Sequence, residues 1–308
     1  MAPVYGCTDC LEDLVDRIGA VVATLALTHE VILVDDCGPD HPWPRIRELA
    51  STRDPVVGVR LSRNFGQHSA ISAGLRQSRG EIVVVMDCDL QDVPEEIPTL
   101  LGALGQDYDV ALGRRTDRQD SFLKRSLSAG FYALLSWLTG VRQDASVANF
   151  GAYRRVVVDA INAMPETNRF FPLLVRWTGF RSTSVPVRHS ERRSGQSSYS
   201  LGRMLRLALD VAIAYSDKPL RIAVSVGVVF SLVAALVVIY TVAQYFVGNT
   251  AVAGFTSILA SIWLVGGVTQ VSIGIVGLYL GRVYVETKAR PAYVVAEVTT
   301  GREPPGGR

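Results

Sequence analysis

The stretch Glu81-Ile82-Val83-Val84-Val85-Met86-Asp87-Cys88-Asp89-Leu90-Gln91-Asp92 decides how this chain is read. A short run of β-branched residues, bounded by acids, is the pattern of a strand buried on both faces. Glu30-Val31-Ile32-Leu33-Val34 repeats it and ends in Asp35-Asp36. Val56–Leu61 and Tyr108–Leu112 are further strand candidates, separated by helix-like stretches at Leu11–Leu27, Gln67–Gln77 and Pro94–Leu104. This alternation predicts an α/β fold with a mainly parallel sheet covered on both faces. Ligands of such sheets collect beyond the carboxyl ends of the strands, where both acid pairs fall.

Two carboxylates at i and i+2 past a strand end, as in Asp87 and Asp89, can converge on one hard cation. A divalent ion there would hold nucleotide phosphates and stabilise charge on a departing one. No G-x-G-x-x-G follows the first strand, so a dinucleotide-binding reading has no support.

The 308 residues are 48% hydrophobic and only 19% charged, too apolar for an ordinary soluble or disordered chain. The excess is local: the sixty positions from Ile222 to Gly281 hold no Asp, Glu, Lys, Arg or His. Gly248-Asn249-Thr250 divides them into two candidate membrane helices, about 222–247 and 255–280, each with the ~20 residues a crossing needs. Lys218 and Arg221 precede the first and Arg282, Lys288 and Arg290 follow the second, while the connection is uncharged. The positive-inside rule then places both flanks in the cytoplasm, making this a multi-pass protein of the cytoplasmic membrane. Nothing ionisable lies mid-membrane to carry protons or ions. Gly267, Gly274 and Gly281 recur every seven residues and Gly277-x-x-x-Gly281 adds a close-approach motif, a face for helix packing. The predicted organisation is a cytoplasmic domain over 1–200, an amphipathic juxtamembrane segment over 201–221, the helical hairpin over 222–281 and a cytoplasmic tail over 282–308. Ser121–Val141 reads as a second interface helix or as a core helix of the cytoplasmic domain.

A net charge of +2 gives no reason to expect nucleic acid. Between Arg181 and Arg206 six arginines face one acid, Glu191: either a solvated basic surface or a site for phosphate or anionic lipid. The four cysteines, Cys7, Cys10, Cys37 and Cys88, read as reduced structural thiols, because the chain is long and its N-terminus lacks the pattern of a signal peptide.

Pro3-Val4-Tyr5, Val34-Asp35-Asp36, Arg63-Asn64-Phe65-Gly66 and Asp87-Cys88-Asp89-Leu90-Gln91-Asp92 together resemble family 2 glycosyltransferases of GT-A fold. Asn168-Arg169-Phe170-Phe171, Trp177-Thr178-Gly179-Phe180, the run Glu191–Tyr199 and Ser216–Arg221 narrow the resemblance to polyprenyl-phosphate glycosyltransferases, the group of dolichyl-phosphate mannose synthases and bactoprenol glucosyltransferases. It covers nearly the whole chain in the expected order.

That resemblance implies a homo-oligomeric, hexosyltransferase-type enzyme. It would move a sugar from a nucleotide donor, with UDP-hexose preferred, to a membrane polyprenyl phosphate at the cytoplasmic face. By the same resemblance Pro3, Tyr5, Asp35, Asp36, Asn64 and Asp87 belong to the donor nucleotide site. Asp87, Asp89 and Gln91 would hold Mg2+ or Mn2+. Asp89, Arg114, Arg115, Arg125 and Arg192 are the catalytic candidates, and Arg125, Arg192 and Ser197 would meet the lipid phosphate. Arginine suits phosphate because its fork of donors matches the oxygens. The sequence departs from the family in three places: only Met1-Ala2 precede Pro3, Ser198 stands where relatives carry Lys, and Asn149 stands where they often carry Asp. Two rivals remain at this stage: transfer to a glycan or glycolipid hydroxyl with Asp92 as base, and a non-catalytic membrane scaffold that keeps its nucleotide site.

Overall fold

The computed structural model describes residues 1–115, 147–190, 218–246 and 254–300. They fall into two compact units, one built from all the strands and the shorter helices, the other from two long helices.

In the first unit the strands are β1 (Ala2–Val4), β2 (Val31–Asp35), β3 (Val56–Leu61), β4 (Ile82–Val85), β5 (Val110–Arg115), β6 (Val147–Arg154), β7 (Ser182–Val187) and β8 (Val295–Thr300). The helices between them are α1 (Leu11–Thr24), α2 (Trp43–Thr52), α3 (Gln67–Gln77), α4 (Ile97–Leu104), α5 (Arg155–Ala163) and α6 (Phe171–Trp177). All five residues of β2 are buried, as a strand covered on both faces requires. On α1 the buried residues Leu11, Leu14, Val15, Val21 and Val22 form the one-sided stripe of an amphipathic helix. Helix α2 was not evident from periodicity; its signal is the proline in its first turn, a residue suited to that position.

The strands form two four-stranded sheets, in the orders β1-β2-β3-β8 and β4-β6-β5-β7. The Met1 amine donates to the Val84 carbonyl (2.6 Å) and the Met86 amide to the Met1 carbonyl (3.2 Å), a parallel bridge that lays β4 beside β1. The expected mainly parallel sheet is therefore mixed. β6 runs antiparallel to both β4 and β5, and β8 runs antiparallel to β3. Neither strand follows its neighbour through a short crossover, so the alternation that betrays parallel strands gave no sign of them. The two residues before Pro3 do not abolish the first strand: Ala2, Pro3 and Val4 pair with Leu33, Val34 and Asp35.

Within the C-terminal tail, β8 closes the β3 edge. The Ser62 amide donates to the Val294 carbonyl (2.9 Å) and the Trp43 indole to Glu297 (3.0 Å).

The second unit holds α7 (Lys218–Phe246) and α8 (Phe255–Thr287). Among the described residues one helical span, Leu264–Thr287, is long and apolar enough to cross a membrane, and Leu220–Phe230 is a shorter apolar one. The juxtamembrane segment up to residue 217 and the stretch Ser121–Val141 lie outside the described residues.

Candidate active site

The carboxyl ends of β1, β2, β3 and β4 deliver Tyr5, Asp35-Asp36, Asn64 and Asp87 to one edge of the sheets. Pro3 lies buried within β1, whereas Tyr5 just beyond it is 57% exposed and Asn64 is exposed.

The turn after β4 is organised by alternation. Cys88 and Leu90 are buried, while Asp87, Asp89 and Gln91 are each half-buried. Leu90 adopts a left-handed conformation (φ +61°) with its side chain in the core, which anchors the turn. The Asp89 carboxylate accepts from the Gln91 amide (3.2 Å). Asp92 is buried, and its carboxylate accepts from the Asp87 amide (3.1 Å). Asp92 thus clasps the turn from inside.

Asp35 and Asp36 are both buried but differ in work. Asp36 accepts from the amides of Phe65 (2.7 Å) and Gly66 (2.9 Å), fixing the Arg63–Gly66 loop and the start of α3. Gly66 lies at φ +93°, a conformation open to glycine at little cost. Asp35 lies 3.7 Å from the Arg60 guanidinium and accepts a long bond from the Gly38 amide (3.4 Å). Burial pushes both carboxyls above the usual range, opposed by the amides of Gly38 and Cys37 at Asp35 and of Phe65 and Gly66 at Asp36.

Three residues with structural work at the site escaped the sequence reading. Gln67, on the first turn of α3, donates from its amide to Oδ1 of Asp87 (2.7 Å). Asp40 accepts from the amides of Gly6 (3.1 Å) and Thr8 (2.8 Å) and from the Thr8 hydroxyl (2.5 Å), tying down the loop that carries Tyr5. Burial pushes its carboxyl up, but the Thr8 and Gly6 donors outweigh that and hold it below the usual range. Gly38 lets this corner close, since a Cβ there would stand 2.6 Å from Asp40 and 3.2 Å from the Gly6 nitrogen. Arg60 is the third, through Asp35. An acid in a turn and a glutamine opening a helix were the only local signals.

One expectation about the cysteines is overturned. Cys7 and Cys88 are joined as a disulfide, with Cα atoms 6.3 Å apart, and Cys10 and Cys37 stand outside it. The two lie 81 residues apart, so no local spacing announces the pair.

Arg114 is exposed on β5, one residue past a bulge, and Arg115 ends that strand. Asn149 is half-buried on β6. Arg125, Arg192 and Ser197 lie outside the described residues. No group of three His, Cys, Asp or Glu side chains that could hold a metal occurs among the described residues. Mg2+ is commonly held by only one or two carboxylates, with waters and substrate phosphates completing its shell. The half-buried oxygen set of Asp87, Asp89 and Gln91 fits that mode.

Residues 2–160 match glycosyl transferase family 2. The chain belongs to that family and is a glycosyltransferase. It is 35% identical, over 98% of its length and 94% of the relative's, to undecaprenyl-phosphate 4-deoxy-4-formamido-L-arabinose transferase of Edwardsiella ictaluri. The enzyme of the same name from Klebsiella pneumoniae is 35% identical over 96% of this chain and 91% of that one. Among solved structures, glucosyl-3-phosphoglycerate synthase from Mycobacterium tuberculosis, crystallised with Mn2+, UDP-glucose and phosphoglyceric acid, is similar at 20% identity. Its TM-score is 0.49 over 70% of this chain and 77% of that one. With the family established, the mixed sheets and the acids at the strand ends fit a GT-A-like α/β fold.

Proposed function

We propose that this glycosyltransferase moves a sugar from a nucleotide-sugar donor to a membrane polyprenyl phosphate at the cytoplasmic face, with inversion at the anomeric carbon. The observation that carries the acceptor is similarity over nearly the full length, including the C-terminal helices, to enzymes named for undecaprenyl phosphate. Tyr5, Asp35 and Asn64 serve the nucleotide, and Arg114 or Arg115, with Arg125, Arg192 and Ser197, serve phosphates. Asp87, Asp89 and Gln91 would hold Mg2+ or Mn2+, which when bound supplies positive charge to the diphosphate leaving group.

The acceptor is a phosphomonoester, whose second pKa near 6, as in phosphorylated side chains, leaves its oxygen anionic at neutral pH. That oxygen attacks the anomeric carbon directly, the bond to the donor diphosphate breaks, and no proton has to be removed first. Asn149 in place of a carboxylate is therefore compatible with full activity. The chain's contribution is to hold two anions in line and neutralise them, which arginines do electrostatically.

The return of the tail to the first unit supports a membrane hairpin. Leu264–Thr287 is 24 residues long, about 36 Å as a helix and enough for a hydrocarbon core of about 30 Å. Because β8 pairs with β3 in the domain that precedes the helices, a crossing by α8 requires a second one, which this reading assigns to α7. A Cβ added at Gly274, Gly277 or Gly281 meets nothing within 4 Å, which leaves room along α8 for a second copy.

The test incubates the purified protein with Mg2+ or Mn2+, undecaprenyl phosphate and a panel of donors. The panel spans UDP-hexoses, GDP-mannose and nucleotide-linked 4-deoxy-4-formamido-L-arabinose, and lipid products are read by mass spectrometry. One sugar on the lipid, lost without metal and lost in Asp89→Ala, supports the reading. Metal-dependent donor binding with no lipid product overturns the acceptor.

A further inference from the structure

The Cys7–Cys88 disulfide joins the two halves of the proposed donor site. Cys7 lies two residues past Tyr5, in the loop that would face the base, and Cys88 is the central residue of Asp87-Cys88-Asp89. The Cys7 loop is held on either side by Asp40, through the Gly6 and Thr8 amides. The Asp87–Asp92 turn is held by Asp92 and Leu90. The bond therefore fixes one anchored loop to another.

Both sulfurs sit in the large apolar core cluster with Cys10, Leu11 and Leu90, where reduced cysteines pack as small hydrophobes. Disulfides in a cytoplasmic domain are mostly transient, redox-sensing or catalytic, since the glutathione pool keeps thiols reduced. Nothing in sugar transfer uses a sulfur. We infer that Cys7 and Cys88 form a thiol–disulfide switch on the donor site, the cross-linked form binding nucleotide and cation more tightly than the reduced form. The cause is preorganisation: the link holds the base-side loop and the carboxylate turn in one mutual geometry, which the reduced protein has to order on binding.

Both sulfurs are buried, at 5% and 6% exposure, which selects a water-sized oxidant such as hydrogen peroxide. One thiolate attacks the peroxide, taking one oxygen as a sulfenic acid and releasing water once a proton is supplied. The second thiolate displaces that oxygen as a second water and forms the S–S bond. Two thiols lose two electrons and the peroxide gains them. A small dithiol reverses the step by two exchanges and leaves as its own disulfide.

This inference rests on the nucleotide site proposed above, and its test separates the two. The full-length protein in detergent is treated with hydrogen peroxide or with dithiothreitol, alkylated and digested, and in parallel titrated with UDP and Mn2+. The oxidised protein is expected to offer two alkylatable cysteines out of four and a peptide linking Cys7 to Cys88. Its affinity for UDP with Mn2+ should be about threefold to tenfold above the reduced form, and reduction should reverse both. Cys7→Ser should bind alike in both treatments, and Cys10→Ser should still switch. A Cys7–Cys10 link, no link, or a link with equal UDP affinity in both forms refutes the switch and leaves the site standing. UDP binding in neither form refutes the nucleotide site and the switch together. The reversible treatment of the unmutated protein decides the matter even if Cys7→Ser fails to fold.

Discussion

Gln67 donates a 2.7 Å hydrogen bond to Oδ1 of Asp87, linking the first turn of α3 to the turn after β4. The bond orients a carboxylate proposed to meet the cation. Outer partners of this kind typically contribute 10- to 100-fold to metal affinity. Gln67→Ala is expected to weaken Mn2+ binding by about tenfold, read as the Mn2+ concentration giving half-maximal activity at saturating donor. An unchanged half-maximal concentration removes Gln67 from the site.

Asp36 works on the fold. Its two bonds to the Phe65 and Gly66 amides are charge-assisted, and the side chain is only 3% exposed. Asp36→Ala leaves two partly buried loop donors without their carboxylate, which costs about 2–3 kcal/mol. The melting temperature should fall by roughly 5–10 °C, with Asp36→Asn recovering part of the loss because its oxygen still accepts one bond. A melting curve of Asp36→Ala that matches the parent would show that the loop is held elsewhere.

Asp40 reaches activity through Tyr5. Removing its carboxylate releases the Gly6 and Thr8 amides and loosens the loop that carries the exposed tyrosine. Asp40→Ala should raise the donor KM about fivefold while leaving kcat within about twofold, the pattern of lost uniform binding. Initial rates at varied donor concentration separate this from an effect on the chemical step.

His68 gives the fold a dependence on pH. It packs edge-on against Phe170 with ring centroids 4.5 Å apart, and its Nδ1 is buried with no hydrogen-bond partner. Burial lowers its pKa from 6.5 to about 4. The unfolded chain then binds the proton more readily than the folded one. The stability His68 lends is complete above pH 6.5 and drains away as pH falls towards 4, by about 3 kcal/mol over the whole window. Asp35 and Asp36, whose carboxyls burial raises, act in the opposite sense and gain on acidification. The difference between the parent and His68→Leu, followed by urea unfolding at pH 7.5 and pH 4.5, isolates the histidine. Parallel losses in the two proteins would exclude it.

Much of the frame was legible from local pattern. Strands β2, β3 and β4 and helix α3 lie where hydrophobic runs and periodicity put them, because each buries its own residues against whatever covers it. The acids at the ends of β2 and β4 and the sixty-residue uncharged run needed no partner to be seen. Other features hung on long-range closure. β8 pairs with β3 across more than 230 residues, Cys7 meets Cys88 across 81, and Gln67 meets Asp87 across 20. Asp36, Asp40 and Asp92 look alike in sequence, as acids near turns. What each does depends on which amide the fold brings to it: Gly6 and Thr8 for Asp40, Phe65 and Gly66 for Asp36, and Asp87 for Asp92. Sequence alone therefore determined β2, β3, β4, α3 and the family, since periodicity and motif are properties of neighbouring residues. Tertiary structure decided which carboxylates hold loops in place and which remain half-exposed at the strand ends, because a hydrogen bond depends on distance in space.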